Sequence, residues 1–209
     1  MGRTYGVRPQ MVSKHFELNL KRFLAAASDE FAAGTSPATR RTAQMLRSID
    51  STIADTPRAP IHGNDAACSP PDEINMLLGN QPQSACLTAA ASVYRELDWY
   101  ESTKSHTPYA EIIGPTSLIR SLELRFGLFL LYSNIVYPDH QHAADEVYIV
   151  LAGTGEWSLN REPYQDKIAG TIIDIPSLTV HAMRTAQEPT LMLFSWTGVD
   201  ISFETYQFC

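Results

Sequence analysis

The sequence predicts a mainly β fold, a sandwich or barrel, preceded by an α-helical N-terminal region, and two observations carry that prediction. Up to about residue 100 the apolar residues recur at helical spacing; beyond residue 115 they fall in short alternating runs divided by Gly, Pro, Asn and Asp. No helix of convincing length interrupts those runs, so parallel strands with helical crossovers are not expected. The 209 residues are expected to divide into a helical region, 1–115, packed on a β-barrel, 116–209.

Phe16, Leu20, Phe23, Leu24 and Phe31, with Lys and Arg between them, predict an amphipathic helix over 14–33. Ser36 followed by Pro37 reads as an N-cap and first-turn proline. Ala43, Leu46, Ile49 and Ile53 continue that second helix to about residue 56. Residues 57–72 are rich in Pro, Ala and polar side chains and read as a loop. A short helix over 73–78 and a longer one over about 87–100 complete the helical half. After a turn-forming stretch at 108–115, strands are predicted at 118–126, 128–136, 146–152, 155–160, 168–175, 180–185, 191–197 and 201–208.

Hydrophobic residues at 44% and charged residues at 19% describe an ordinary globular chain. A formal net charge of -7 argues against a nucleic-acid partner, which calls for clustered Lys and Arg, and is compatible with a cationic small ligand. Cys68, Cys86 and Cys209 are odd in number and widely spaced, so they predict reduced thiols rather than a disulfide framework or a CxxC metal pair. Residues 1–23 hold no apolar run of signal-peptide length, and nothing approaches the ~20 apolar residues of a membrane span. A soluble cytoplasmic protein without a membrane partner is expected.

The chemistry concentrates in residues 137–153, YPDHQHAADEVYIVLAG. His140, His142, Glu146 and Tyr148 share an even phase, so on an extended chain they point to one face if the step at Ala143 and Ala144 keeps register. Imidazoles and a carboxylate are the usual ligands of a first-row divalent metal: zinc, iron, manganese, cobalt or nickel. His181, at the start of a later strand, is the natural fourth ligand. His15, His62 and His106 carry no such pattern and read as ordinary core or surface residues.

The order His-x-His, three residues, Glu, six residues, Gly153 resembles the first cupin motif. Gly170, five residues, Pro176, four residues, His181 resembles the second. The family's opening glycine is absent, and Leu178 and Thr185 stand where the second motif usually has Gly and Asn. The resemblance implies a single cupin barrel. With a helical region of about a hundred residues ahead of it, the chain resembles the cupin-type dimethylsulfoniopropionate (DMSP) lyases of marine bacteria, Tyr148, Tyr137 and Trp196 being the most specific points of likeness.

That resemblance implies a β-elimination yielding dimethyl sulfide and acrylate. One divalent metal ion would hold the substrate carboxylate, with His140, His142, Glu146 and His181 as ligands, or with Tyr148 in the place of His140. A phenol has an ordinary pKa of about 10, and a neighbouring divalent cation favours its ionisation; Tyr148 is the implied general base. Aromatic faces suit the sulfonium end: Tyr137 and Trp196 by the resemblance, with Tyr132 and Trp157 as candidates that read equally well as core. Trp99 and Tyr100 are expected to anchor the last helix to the barrel, and the segment 102–114 to cover the pocket mouth. The helical layer either caps the barrel or joins two subunits as a homodimer. A cupin dioxygenase and a non-catalytic onium-binding cupin are the alternatives.

Overall fold

In a computed structural model of the chain, the residues described are 13–50, 52–54, 58–61, 63–80, 84–103 and 105–209; His62 and residues 1–12 lie outside them. Ser13 accepts from the Phe16 amide and opens α1, Lys14–Ala32; Ser36 accepts from the Thr39 amide and opens α2, Pro37–Ser48, with Pro37 in its first turn. These are N-caps that satisfy amides with no partner inside the helix. After β1, Ala66–Cys68, come α3, Glu73–Asn80, and α4, Ala85–Ala91, followed by a 3₁₀ turn at Tyr94–Glu96.

The remaining elements are β2, Trp99–Glu101, β3, Pro108–Gly114, β4, Ile119–Arg120, β5, Arg125–Leu131, β6, Val136–Gln141, and β7, Asp145–Leu159. They continue with β8, Gln165–Ile168, β9, Ile172–Ile175, β10, His181–Arg184, β11, Thr190–Thr197, and β12, Gln207–Phe208. One sheet runs β1-β2-β3-β5-β11-β7-β10-β6-β12, with β4 on β3 and β8 and β9 on β7. All its pairings are antiparallel except β3 with β4.

The period-two alternation of the central strands sorts their side chains into two cores. Phe126, Leu128, Leu130, Val147, Ile149, Leu191 and Leu193 join Phe16, Phe23, Phe31 and Leu87 of the helices in one buried cluster. Phe129, Leu131, Tyr148, Val150, Met192, Phe194 and Trp196 face the other way, into a second cluster with Tyr137 and Trp157. The helices therefore cap the outside of a curled sheet, and the inside is aromatic. This is a mainly β, curled single sheet with N-terminal helices, the architecture that the motifs imply.

Several boundaries differ from the sequence expectation. All but the last residue of the 108–115 stretch is β3 rather than a turn, with Pro108 at the first strand position where a ladder amide is dispensable. The barrel sheet thus begins ahead of residue 116 and takes in β1 to β3. The helix expected over 87–100 stops at Ala91, because Trp99–Glu101 pairs with both β1 and β3. The second helix ends at Ser48, and Ile49 is already extended. Runs 146–152 and 155–160 are one strand, β7, which passes through Gly153 at φ 79°. A Cβ at Gly153 would stand 2.0 Å from the Pro189 carbonyl oxygen, so glycine is required there. Of 201–208, only Gln207–Phe208 is strand.

Candidate active site

β6 delivers His140 and ends at Gln141; His142 follows at the bend, and β7 brings Glu146 and Tyr148 onto the same inner face. All four side chains are buried, so the Ala143–Ala144 step preserves the phase. β10 pairs with β6 so that His181 lies opposite His140. The ligand atoms of His140, His142, Glu146 and His181 all lie within 4.8 Å of one another, and no residue of the four is more than 2% exposed.

Each histidine uses Nδ1 on a backbone carbonyl two residues away: His140 on Pro138 at 2.8 Å, His142 on Ala144 at 3.2 Å, and His181 on Thr179 at 2.8 Å. A carbonyl only accepts, so Nδ1 carries the proton and Nε2 presents a lone pair to the centre. His142 Nε2 and His181 Nε2 then each stand 3.1 Å from Glu146 Oε2. His181 Nε2, despite that distance, makes no aligned hydrogen bond and is a buried polar atom without a partner. Acceptors converging on one buried point call for a cation between them, and backbone bonds at Nδ1 are the usual outer support of metal-bound imidazoles. The donor set fits a divalent transition metal ion.

Burial first, then repulsion from His181, pushes the His140 pKa down to about 3, which keeps its imidazole in the neutral, ligating form. Burial pushes the Glu146 carboxyl up, but the attraction of the neighbouring His142 and His181 outweighs it and holds the group below the usual carboxylate range. Trp196 lies opposite Glu146 in the ladder and donates Nε1–H to its Oε1 at 2.7 Å, while its ring packs tilted against His142 with centroids 4.0 Å apart. Trp196 thus orients the carboxylate as well as facing the pocket.

Leu178 and Thr185 show how the second motif works without Gly and Asn. Leu178 adopts φ 60°, and its amide bonds the His142 carbonyl at 2.8 Å. Thr185 Oγ1 accepts from the Ile135 amide at 3.2 Å and donates to the Tyr132 carbonyl.

The ligand group opens into a pocket of about 490 Å³, its open mouth included. Tyr148, Tyr137 and Trp196 line it, and so do Tyr109, Phe129, Phe194, Phe203 and Tyr206. Burial, followed by the negative charge of Glu146, raises the Tyr148 phenol well above its ordinary value. Burial also raises Tyr137, to about 12, against hydrogen bonds from Tyr206 and Ser105 that lower it. The hydroxyls of Tyr137 and Tyr206 are 2.6 Å apart.

Other expected residues separate from the site. Trp157 is core, 6.2 Å from the Tyr148 ring, and Tyr132 packs with the helix-side cluster. Trp99 is buried on the helix side with Nε1 on the Tyr94 carbonyl, whereas Tyr100 packs on the pocket side against Tyr109. His15 meets Asn19, and His106 is exposed 3.7 Å from Glu101. Ser102 and Thr107, from the segment expected at the mouth, do line the pocket. The cysteines are free.

Tyr109, Phe203 and Tyr206 were not foreseen as site residues. Their local pattern reads as turn or strand, and only pairing between distant segments brings them in.

Comparison with known proteins agrees with this geometry. The DMSP lyase family profile matches residues 72–192, more than half of the chain. A curated relative, dimethylsulfoniopropionate lyase DddQ of Ruegeria pomeroyi, is 32% identical over 87 residues, which are 42% of this chain and 43% of the relative. The match therefore spans less than half of that relative's length. A chain from crystal structures of the DMSP lyases RdDddP and RnDddQII superposes with a TM-score of 0.66 at 20% identity, covering 93% of this chain and 99% of the other. Ruegeria pomeroyi DddQ itself superposes at 0.63 and 20% identity, covering 91% and 95%. Among the described residues no helix is long and apolar enough to cross a membrane. With its helical cap, aromatic barrel interior and His-His-Glu-His centre, the chain belongs to the DMSP lyase family.

Proposed function

We propose that the protein cleaves dimethylsulfoniopropionate to dimethyl sulfide and acrylate in this pocket, with Tyr148 as general base and His140, His142, Glu146 and His181 as ligands of one divalent metal ion. The observation that carries the reading is a single pocket holding a buried four-ligand centre, a phenol two residues beyond the ligand Glu146, and walls of aromatic rings. A divalent ion there would neutralise and polarise the substrate carboxylate and favour ionisation of a nearby phenol, which is worth several kcal/mol of transition-state stabilisation.

The chain's own groups do the rest. Tyr148, as phenolate, takes the proton from the carbon beside the carboxylate; that electron pair becomes the double bond, and the carbon–sulfur bond breaks to release neutral dimethyl sulfide. A positioned base contributes ~100-fold to ~10,000-fold. Burial and then the negative charge of Glu146 raise the Tyr148 phenol well above its ordinary value, so its use as a base depends on positive charge at the ligand centre. Tyr137 and Trp196 offer faces to the sulfonium, each worth ~0.5 to ~2 kcal/mol, and Trp196 also keeps Glu146 oriented.

The test is headspace dimethyl sulfide from protein loaded in turn with iron, manganese, zinc, cobalt and nickel. Release that is lost in Tyr148→Phe with metal retained is expected. No dimethyl sulfide with any ion would overturn the function; a fully active Tyr148→Phe would overturn the base.

A further inference from the structure

Three strand steps along the curled sheet from the strand of Glu146 stands Tyr109, on β3, with its ring in the pocket wall. Behind it lies Asp65, 9% exposed, from the segment just ahead of β1. Asp65 Oδ2 accepts the Tyr109 hydroxyl at 2.7 Å, and Oδ1 accepts the Thr103 amide at 3.1 Å and, more weakly, its hydroxyl at 3.4 Å. The Ile61 amide donates to the Tyr109 oxygen at 3.0 Å, so that hydroxyl is saturated and its direction set.

Among the described residues every partner of Asp65 is neutral: a phenol, an amide and a hydroxyl. Among the described residues no Lys, Arg or His forms an ion pair with it. A buried carboxylate without a counter-ion is costly, and a fold that keeps one gains when a cation arrives nearby. A phenol that donates to a carboxylate also carries more electron density in its ring, the face a cation prefers. The ring of Tyr109 is placed to pass that charge into the pocket. Phe129, its partner across the ladder, lines the same wall.

We propose that Asp65, acting through the ring of Tyr109, supplies the counter-charge for the cationic end of the ligand, so that the pocket selects a zwitterion with its carboxylate at the four-ligand centre and its onium group at the Tyr109 end. The inference rests on the proposed function for the carboxylate end. Asp65 touches no reacting atom in this scheme; it is a specificity-determining residue that works from behind the wall.

The experiment is binding, not turnover. Calorimetry on the full, metal-loaded chain compares 3-(trimethylammonio)propionate with its uncharged isostere 4,4-dimethylpentanoate, in wild type, Asp65→Asn and Asp65→Glu. The wild type is expected to prefer the cation. Asp65→Asn, which keeps an acceptor for Tyr109, is expected to lower that preference roughly tenfold with the isostere's affinity unchanged, as removal of one charge across a partly desolvated gap predicts. Asp65→Glu is expected to retain it.

An Asp65→Asn that weakens both ligands equally has only a structural role at this position, and an unchanged preference means the charge is not felt; either result overturns the proposal. Equal affinity for the two ligands in the wild type overturns it whatever the variants do. The headspace assay separates the two readings: charge-dependent binding without dimethyl sulfide removes the lyase function and leaves the cation site standing.

Discussion

Replacing Arg125 with Met tests how the pocket's C-terminal wall is held. Arg125 opens β5 opposite Trp196, and its side chain is 9% exposed. It donates Nη1–H to Glu111 Oε2 at 2.8 Å and Nε–H to the Ile201 carbonyl at 2.7 Å, and it lies 4.9 Å over the Phe203 ring. Methionine keeps the apolar stem and removes all three contacts. Glu111, its side chain 4% exposed, is left with the Ser117 hydroxyl. Stranding one partner of a buried ion pair costs about 3 to 5 kcal/mol, so urea denaturation at neutral pH should show a loss of that size. The pH dependence has a definite sign. Burial already raises the Glu111 carboxyl above its ordinary value, against the attraction of Arg125 and the Ser117 hydrogen bond. Loss of Arg125 raises it further, and a carboxyl with a raised folded pKa favours the fold below its unfolded pKa and loses that contribution as pH rises through the folded value. The gap between wild type and Arg125→Met should therefore narrow as pH falls from 7.5 to 5, and Glu111→Gln with Arg125→Met should recover much of the neutral-pH loss. The double variant should still bind substrate poorly, with KM up roughly tenfold, because the segment that brings Phe203 and Tyr206 to the pocket has lost its tether. A loss below about 1 kcal/mol, or one of equal size at both pH values, would refute the buried-pair reasoning.

Three further outcomes are expected. Trp196→Phe keeps an aromatic ring beside His142 but leaves Glu146 Oε1 without its 2.7 Å donor, so metal affinity, measured by chelator competition, should fall ~10-fold to ~100-fold. Stripping the metal should lower the melting temperature, and saturating zinc or manganese should raise the unfolding free energy again by about 4 kcal/mol at a thousandfold excess over Kd; His181→Ala should abolish most of that response. Gly153→Ala places a Cβ 2.0 Å from the Pro189 oxygen at a positive φ, and should destabilise the fold by about 1 to 3 kcal/mol in thermal melts, more than Gly170→Ala, where a Cβ meets nothing within 4 Å.

What the sequence by itself determined is local. The two-residue repeat of a strand sets which side chains share a face, so His140, His142, Glu146 and Tyr148 were legible as one surface from their numbering alone, and the two motifs joined His181 to them. Helix caps at Ser13 and Ser36 act within three residues, and the second was equally readable. What only the tertiary structure decided depends on pairing between distant segments. The register of β11 against β7 sets Trp196 opposite Glu146; the pairing of β3 with β5 turns a proline-bounded stretch into the strand that carries Tyr109. Arg125, buried with Glu111, brings Phe203 in through Ile201. Asp65, in a stretch that reads only as loop, becomes part of the pocket's electrostatics because Tyr109 meets it across 44 residues. Composition and spacing carry no information about which remote amide or hydroxyl will face a given side chain. Long-range hydrogen bonds and the burial of both sheet faces select that partner.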